Sequence, residues 1–412
     1  MYNFSNSLFN PLYFSTFLGF AFVHLSCTAQ EMDKSAETKY FKDVTATSLP
    51  IDLKSHALDV ALLDVNGDNY LDIVLALENE PNRLYINDGK GVFDWKKDVF
   101  VNANHDTEHV RVGDMDNDGF KDVVFVAEDD KNHEYYLGNG DGTFRNVSDR
   151  LLKKSEGNGL DLGDVNGDGL LDIVIGNTGD NERTFVWLND ISKPGHFIDV
   201  SETALPKNTD LAQSVKLVDV DIDGDLDLVL GNETPPKRLY FNDGKGVFSE
   251  VEGALPETVG IHSREVISFD ANNDGLPDLF FANLTSNAGK AERDPRGRLF
   301  INKGEGKFEE TTEQAIPKYT FSTYACQVID YDHDNDLDII LSALKIPPFE
   351  AMQVQALMND GQGNFSFVTE EVIPAITKER SWGTAVGDVN GDKINDLVIG
   401  AWGGQVRLLL GK

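Results

Sequence analysis

The sequence predicts an all-β fold, a seven-bladed β-propeller of four-stranded blades closed by an N-terminal strand, and three observations carry that expectation. The acidic nonapeptide "DVNGDNYLD" from Asp64 recurs with its first aspartate at Asp114, Asp164, Asp219, Asp270, Asp330 and Asp388, a spacing of roughly 50 to 60 residues that marks a repeat array. Each copy runs directly into three apolar residues, such as Ile73 to Leu75 and Val123 to Phe125. Most are then followed by a strand, a tight Asn/Asp/Gly turn and a strand, as in "RLYINDGKGVF" ending at Phe93 and "RLYFNDGKGVF" ending at Phe248.

Within a repeat, the strand entering the acidic loop is the inner one, with apolar residues at four and two positions before the loop, among them Val60, Val110, Leu160, Val215 and Val266. The strand leaving the loop is continuously apolar, because a strand packed between neighbouring blades is buried on both faces and need not alternate. The third and fourth strands close the hairpin, and the fourth ("FRNVSD", "FIDVSE", "FSEVEG", "FEETTE", "FSFVTE") leads to the next repeat. Four strands per repeat suit a propeller, whose blades surround a channel, whereas solenoid coils are shorter. The last repeat stops at "QVRLLLGK" with three strands, and "YFKDVTATSLP" from Tyr40 to Pro50 reads as the missing fourth. Such closure leaves no free edge to pair with other chains. The array occupies residues 39–412, after a linker at 30–38 and a targeting segment at 1–29.

Positions 1, 3, 5 and 9 of every acidic loop carry Asp or Asn. They are Asp64, Asn66, Asp68 and Asp72; Asp114, Asp116, Asp118 and Asp122; Asp164, Asn166, Asp168 and Asp172; and Asp219, Asp221, Asp223 and Asp227. The remaining loops supply Asp270, Asn272, Asp274 and Asp278; Asp330, Asp332, Asp334 and Asp338; and Asp388, Asn390, Asp392 and Asp396. Oxygen-bearing side chains on alternate residues of a turning loop converge on one point, the way a hard cation is held, and up to seven Ca2+ ions are expected. One isolated copy would read first as a solvated Asx-turn. The loop is not an EF-hand, whose twelfth position must be Glu; here that position is Leu75, Phe125, Ile175, Leu230, Phe281, Leu341 and Ile399. Position 6, where a positive φ is expected, is Gly in four loops but Asn69, Asn335 and Lys393 in the others, which makes the seventh loop the weakest candidate.

Loops of this pattern at blade spacing resemble the FG-GAP or VCBS repeats, whose best-known members are the head domains of integrin α subunits. The resemblance spans residues 39–412 and implies a calcium site at each loop, to which position 7, Tyr70 in the first, adds its backbone carbonyl.

With 70 acidic against 36 basic residues and a formal charge of −34, the chain is a poor partner for nucleic acid or an anionic membrane surface. Residues 8 to 26 form the one long apolar stretch, and its core from Leu12 to Ser26 has signal-peptide length and is too short and polar to span a membrane well. Cleavage after Ala29 is one reading; alternatively "LSC" resembles a lipobox, which would lipidate Cys27 and give the chain a membrane anchor. Either reading makes the protein exported: secreted, periplasmic or cell-surface. The other cysteine, Cys326, aligns with the apolar inner-strand positions and reads as a buried thiol.

The acidic loops and the "NDGKG" turns share one face of the expected ring. The opposite face receives the two insertions, Asn283 to Arg298 and Ala343 to Gln355, as binding faces of repeat rings often do. Six residues before the loops stand Leu58, Glu108, Asn158, Gln213, Arg264, Tyr324 and Trp382; two residues earlier stand His56, Asp106, Glu156, Leu211, His262, Ser322 and Arg380. These outer positions are polar or aromatic and differ from repeat to repeat, as expected at a channel mouth. Glu108, His262, Arg264, Tyr324, Arg380 and Trp382 are the candidate ligand-binding residues. Alanine at Arg264 or Trp382 is expected to weaken binding and leave stability nearly unchanged. The expected function is a binding or adhesion module for an extracellular protein or a glycan. The alternative is a polysaccharide lyase or hydrolase with His262, His56, Glu108 and Arg264 as acid/base candidates, which no G-x-S-x-G or H-E-x-x-H motif supports.

Overall fold

The pairing of an acidic loop with an apolar triplet produces the same antiparallel unit throughout the chain. The computed structural model describes residues 35–179, 183–256, 261–285, 294–346 and 348–412. The targeting segment with Cys27 and Ala29 lies outside the described residues, as do residues 286–293 of the first insertion. In unit one the strands are Ser55–Leu63, Asp72–Glu80, Arg83–Asn87 and Phe93–Lys96, each paired to the next. Equivalent four-stranded ladders begin at the inner strands His105–Gly113, Gly157–Gly163, Ala212–Val218, Ser263–Phe269 and Phe321–Ile329, which open units two to six.

The position-9 aspartate of each loop is the first residue of its second strand, as in Asp122–Ala127 and Asp172–Asn177. The apolar triplet that follows is buried throughout; Ile73, Val74 and Leu75 have no exposure. Neighbouring units bury it from both sides: Ile173 and Ile175 of unit three share a cluster with Val124, Val126 and Tyr135 of unit two, and Val174 shares one with Val215, Leu217 and Leu230 of unit four.

The last unit, Ser381–Gly387, Asp396–Gly404 and Arg407–Gly411, pairs with an N-terminal strand in the register Phe41↔Gly411, Lys42↔Leu410 and Asp43↔Leu409. That strand is only Phe41–Asp43, shorter than the expected Tyr40 to Pro50, because Thr45–Ser48 makes a helical turn. The turn has a local cause. Asp43 Oδ1 accepts the Thr45 amide at 2.9 Å, and the Thr45 hydroxyl accepts the Leu408 amide of the neighbouring strand at 3.0 Å. Ser201, Thr312 and Thr369 do the same for Val186, Leu299 and Ala356.

The inner strand of each unit contacts that of the next, and the last contacts the first. A Cβ on Gly383 would lie 2.5 Å from the Asp59 Cα, so this approach between the last and first inner strands needs glycine.

Candidate functional site

At the loop end, backbone geometry is uniform. The position-1 aspartate accepts amides from its own loop: Asp164 Oδ1 from Asp168 at 3.1 Å and Oδ2 from Gly169 at 2.8 Å, with counterparts around Asp64, Asp114, Asp219, Asp270 and Asp388. Position 6 has positive φ in every loop, Lys393 included (70°), and so does position 4, which the sequence reading did not single out. Position 4 of the fourth loop is Ile222 at φ 60°, a costly conformation for a β-branched residue.

The position-9 carboxylates have a structural role. Buried at the start of the second strand, each accepts the amide at the end of the third strand with Oδ1; Asp72 takes that of Asn87 at 2.8 Å and Asp227 that of Asn242 at 3.0 Å. In all loops but the sixth, Oδ2 accepts the position-2 amide. Burial pushes Asp72 and Asp278 up to about 6 and Asp122, Asp172, Asp227, Asp338 and Asp396 up to about 7, and nearby loop aspartates add to the rise against those backbone donors.

Position 3 divides the loops into two kinds. In the second, fourth and sixth it is Asp116, Asp221 and Asp332, each with a buried Oδ1 that has no hydrogen-bond partner among the described residues. There, Asp114, Asp116 and Asp122; Asp219, Asp221 and Asp227; and Asp330, Asp332 and Asp334 bring carboxylate oxygens within 4.8 Å of one another and could hold a metal ion. Burial and the neighbouring Asp118, Asp223 and Asp334 push the three position-3 carboxyls upward. In three of the other loops the residue is an asparagine whose amide satisfies position 5: Asn166 to Asp168 at 3.1 Å, Asn272 to Asp274 and Asn390 to Asp392 at 3.0 Å.

The "N" of the "NDG" turns is a latch between units. The side-chain amide of Asn302 donates to Pro277 O at 3.1 Å in its own unit and to Val220 O of unit four at 2.8 Å. Asn189, Asn242 and Asn359 reach back likewise, and Asn87 of unit one donates to Val389 O of unit seven at 2.7 Å. The sequence offered only a turn signal at these positions.

At the other end of the inner strands every unit carries a β-bulge. Ala57 pairs with Leu77 and Asp59 with Ala76, leaving Leu58 extra; Glu108, Asn158, Gln213 and Arg264 are extra in the same way, and units six and seven slip by one residue across Tyr324–Ala325 and Trp382–Gly383. A bulge re-aims side chains. Leu58, Glu108, Asn158, Gln213, Arg264, Tyr324 and Trp382 accordingly all line one cavity of about 290 Å3, the mouth, together with Arg380.

Arg264 is the hub of this cluster. It is 5 % exposed, lies over the Tyr324 ring at 4.3 Å, donates to Asn158 Oδ1 at 2.7 Å and also bonds Gln213, Glu108 and the Tyr324 hydroxyl. Tyr324 in turn donates to Glu108 Oε2 at 2.8 Å. Burial pushes Glu108 up to about 7 even against the pull of the guanidinium. Arg264 is therefore a buried counter-charge, which corrects the expectation that alanine there would spare stability: it would strand Glu108. The aromatic faces are covered from within the protein as well. Trp402 stacks on His56 on one side, with ring centroids 5.0 Å apart, and carries the Arg380 guanidinium at 3.8 Å; Trp382 meets Tyr324 edge-on at 4.0 Å.

The cavity thus brings together Glu108, Arg264, Tyr324, Arg380 and Trp382. His262 is buried, but its side chain is not among those lining this cavity. From the second insertion Phe349 packs against the apolar side of the mouth, beside Leu284, Leu344 and Trp382.

Units of four antiparallel strands, each with an oxygen-rich loop between its first and second strand, define an all-β repeat protein with candidate metal loops. The FG-GAP-like repeat model matches residues 64–125, 118–175, 164–230, 219–281 and 270–341, and the chain belongs to that family. Among curated relatives, cartilage acidic protein 1 of Xenopus tropicalis is 24% identical over 87% of this chain and 60% of the relative. Cartilage acidic protein 1 of Homo sapiens is 28% identical over 47% of this chain and 29% of the relative. The chain therefore spans no more than about 60% of the length of these relatives. The fold is similar to the crystal structure of BBS1N in complex with ARL6DN, soaked with lead, with a TM-score of 0.56 over 91% of this chain and 97% of that one at 10% identity.

Proposed function

We propose that this chain is an exported, seven-bladed propeller, closed by its N-terminal strand, whose acidic loops take Ca2+ and whose mouth binds an extracellular protein or a glycan. The observation that carries the binding reading is the bulge. One backbone device, used in all seven units, delivers seven different side chains to one cavity. Calcium is supported by the all-oxygen donor set and by the orphaned oxygens of Asp116, Asp221 and Asp332, since a hard cation would partner them. Export is supported by the apolar stretch at residues 8 to 26 and by relatives named for cartilage and for acidity, as this chain is acidic.

A glycan array and a panel of purified extracellular proteins, probed with the full chain in calcium, test the binding face. Arg380→Ala and Glu233→Gln, at two residues that line the mouth cavity, should weaken a bound partner about tenfold or more, that is by about 1.4 kcal/mol. Lys90→Ala and Lys245→Ala, on the hairpins of the loop face, should do nothing. The reverse pattern would move the working surface to the loop face. Product analysis on the same glycans decides the lyase or hydrolase alternative, for which His56 and His262 would have to act from outside the Arg264 cluster.

A further inference from the structure

We infer that the mouth takes an oligosaccharide bearing free, unacetylated amino sugars, an inference that rests on the mouth being the binding surface. Among the described residues six carboxylates line the cavity, Glu78, Asp106, Glu108, Glu128, Asp129 and Glu233, against two guanidiniums and no lysine. Arg264 is already enclosed by four acceptors, and Arg380, which lies on Trp402 and also lines the cavity, answers one negative charge at most. Crowded carboxylates in a concave site attract a cation. Burial together with Glu78, Asp129 and Glu128 also lifts Asp106 to about 6.

A second observation is independent of charge. Trp382 lines the same cavity, is only 9 % exposed, and its indole N–H has no acceptor among the described residues. A buried donor left unmade costs about 1–3 kcal/mol, so an acceptor brought by a ligand would be stabilising there. The ligand therefore combines positive charge with hydrogen-bond acceptors.

The layout of the carboxylates selects among such ligands. Asp106, Glu108 and Glu128 of unit two bring carboxylate oxygens within 4.8 Å of one another, a seat for one ammonium group, while Glu78 comes from unit one and Glu233 from unit four. A pyranose ring radiates hydroxyl donors around its circumference and, as an amino sugar, adds the cation. The faces of Trp402 and Tyr324 are covered and their polar groups are bonded to Glu78 and to Arg264 and Glu108, so recognition falls to the carboxylates and the Trp382 N–H rather than to ring stacking. Leu58 and Leu284 offer an apolar wall for the sugar's C–H surface. Uronic acids are repelled by the rim, and N-acetylation removes the charge.

Calorimetric titration of the full chain in calcium tests this with three probes: a glucosamine tetramer at a pH where its amines are charged, its fully N-acetylated counterpart, and a lysine-rich peptide of equal charge. The free-amine tetramer should bind at least about tenfold tighter than the other two. Glu128→Gln with Glu233→Gln should reduce that binding about tenfold or more at unchanged Tm, while Asp88→Asn with Asp243→Asn on the hairpin turns should not. Tighter binding of the acetylated tetramer, still sensitive to the mouth variants, would overturn the amino-sugar class and leave the mouth as a glycan site. Tighter binding of the peptide would replace the sugar with a basic protein segment. Binding insensitive to the mouth variants, or no binding of the tetramer, would overturn the inference, and the array separately decides whether the mouth binds anything.

Discussion

The acidic loops and the mouth stand at opposite ends of the same inner strands, and both use one backbone geometry in all seven units, yet only the loops repeat their side chains. A loop aspartate finds its partners within its own unit, in amides four and five residues away and at the end of the third strand, so every unit arrives at the same residue. A mouth side chain finds its partners in other units, as Arg264 of unit five does with Glu108, Asn158, Gln213 and Tyr324 of units two, three, four and six. Its identity therefore cannot be copied from unit to unit. Local bonding enforces repetition, and bonding across units breaks it.

The sharpest break in that comparison is Arg264→Ala. Removing one partner of a buried pair costs about 3–5 kcal/mol, and the single mouth residue should lower Tm more than any single loop substitution. The loss should be smaller at pH 5 than at pH 8, because a Glu108 without its counter-charge is relieved by taking a proton. A thermal denaturation series across pH checks both; an unchanged Tm would make the mouth as tolerant as the sequence alone suggested.

Next in size is the latch. Asn302→Ala removes the side-chain donor to the buried Val220 O and the half-buried Pro277 O and should cost about 1–3 kcal/mol, whereas Asn364→Ala, on an exposed turn, should cost little. Equal effects in urea unfolding would show that the "N" is only a turn residue.

The smallest expected effect is a gain. Ile222 is 58 % exposed and holds a positive φ that most other loops give to Gly or Asn. Ile222→Gly should stabilise the protein by about 0.5–1 kcal/mol, the relief of strain less the extra chain entropy of glycine. A loss in the same urea assay would mean that the side chain makes contacts worth more than the strain.

Much of this was legible in the sequence because its carriers are local. The nonapeptide, the apolar triplet and the hairpin turn each state their structure within about a dozen residues, and the residues six before the loops stood out by failing to repeat. The bulge was not legible, since it is a mismatch between two strands and neither strand shows it alone. The helical turns at Ser201 and Thr312 were hidden because their hydroxyls bond a strand one hairpin away. Arg264 read as an exposed recognition residue because no local pattern reveals that four other units enclose it. The division of the loops by position 3 was written in the sequence as Asp against Asn, but both read as oxygen donors until the amides of Asn166, Asn272 and Asn390 were found bonded to position 5.

Whether the loops hold the fold through a cation while the mouth is held by its own side chains is decided by calorimetric melting of the full chain before and after exhaustive chelation, with bound metal counted. A ligand that binds only the folded state stabilises it by about 2.7 kcal/mol per site at a hundred times its Kd. Tm should fall on chelation and recover with added calcium, with the second, fourth and sixth loops losing metal last; Asp221→Asn should remove one tightly held ion, and Arg264→Ala none. An unchanged melting curve with no metal released would contradict the loops' dependence on a cation.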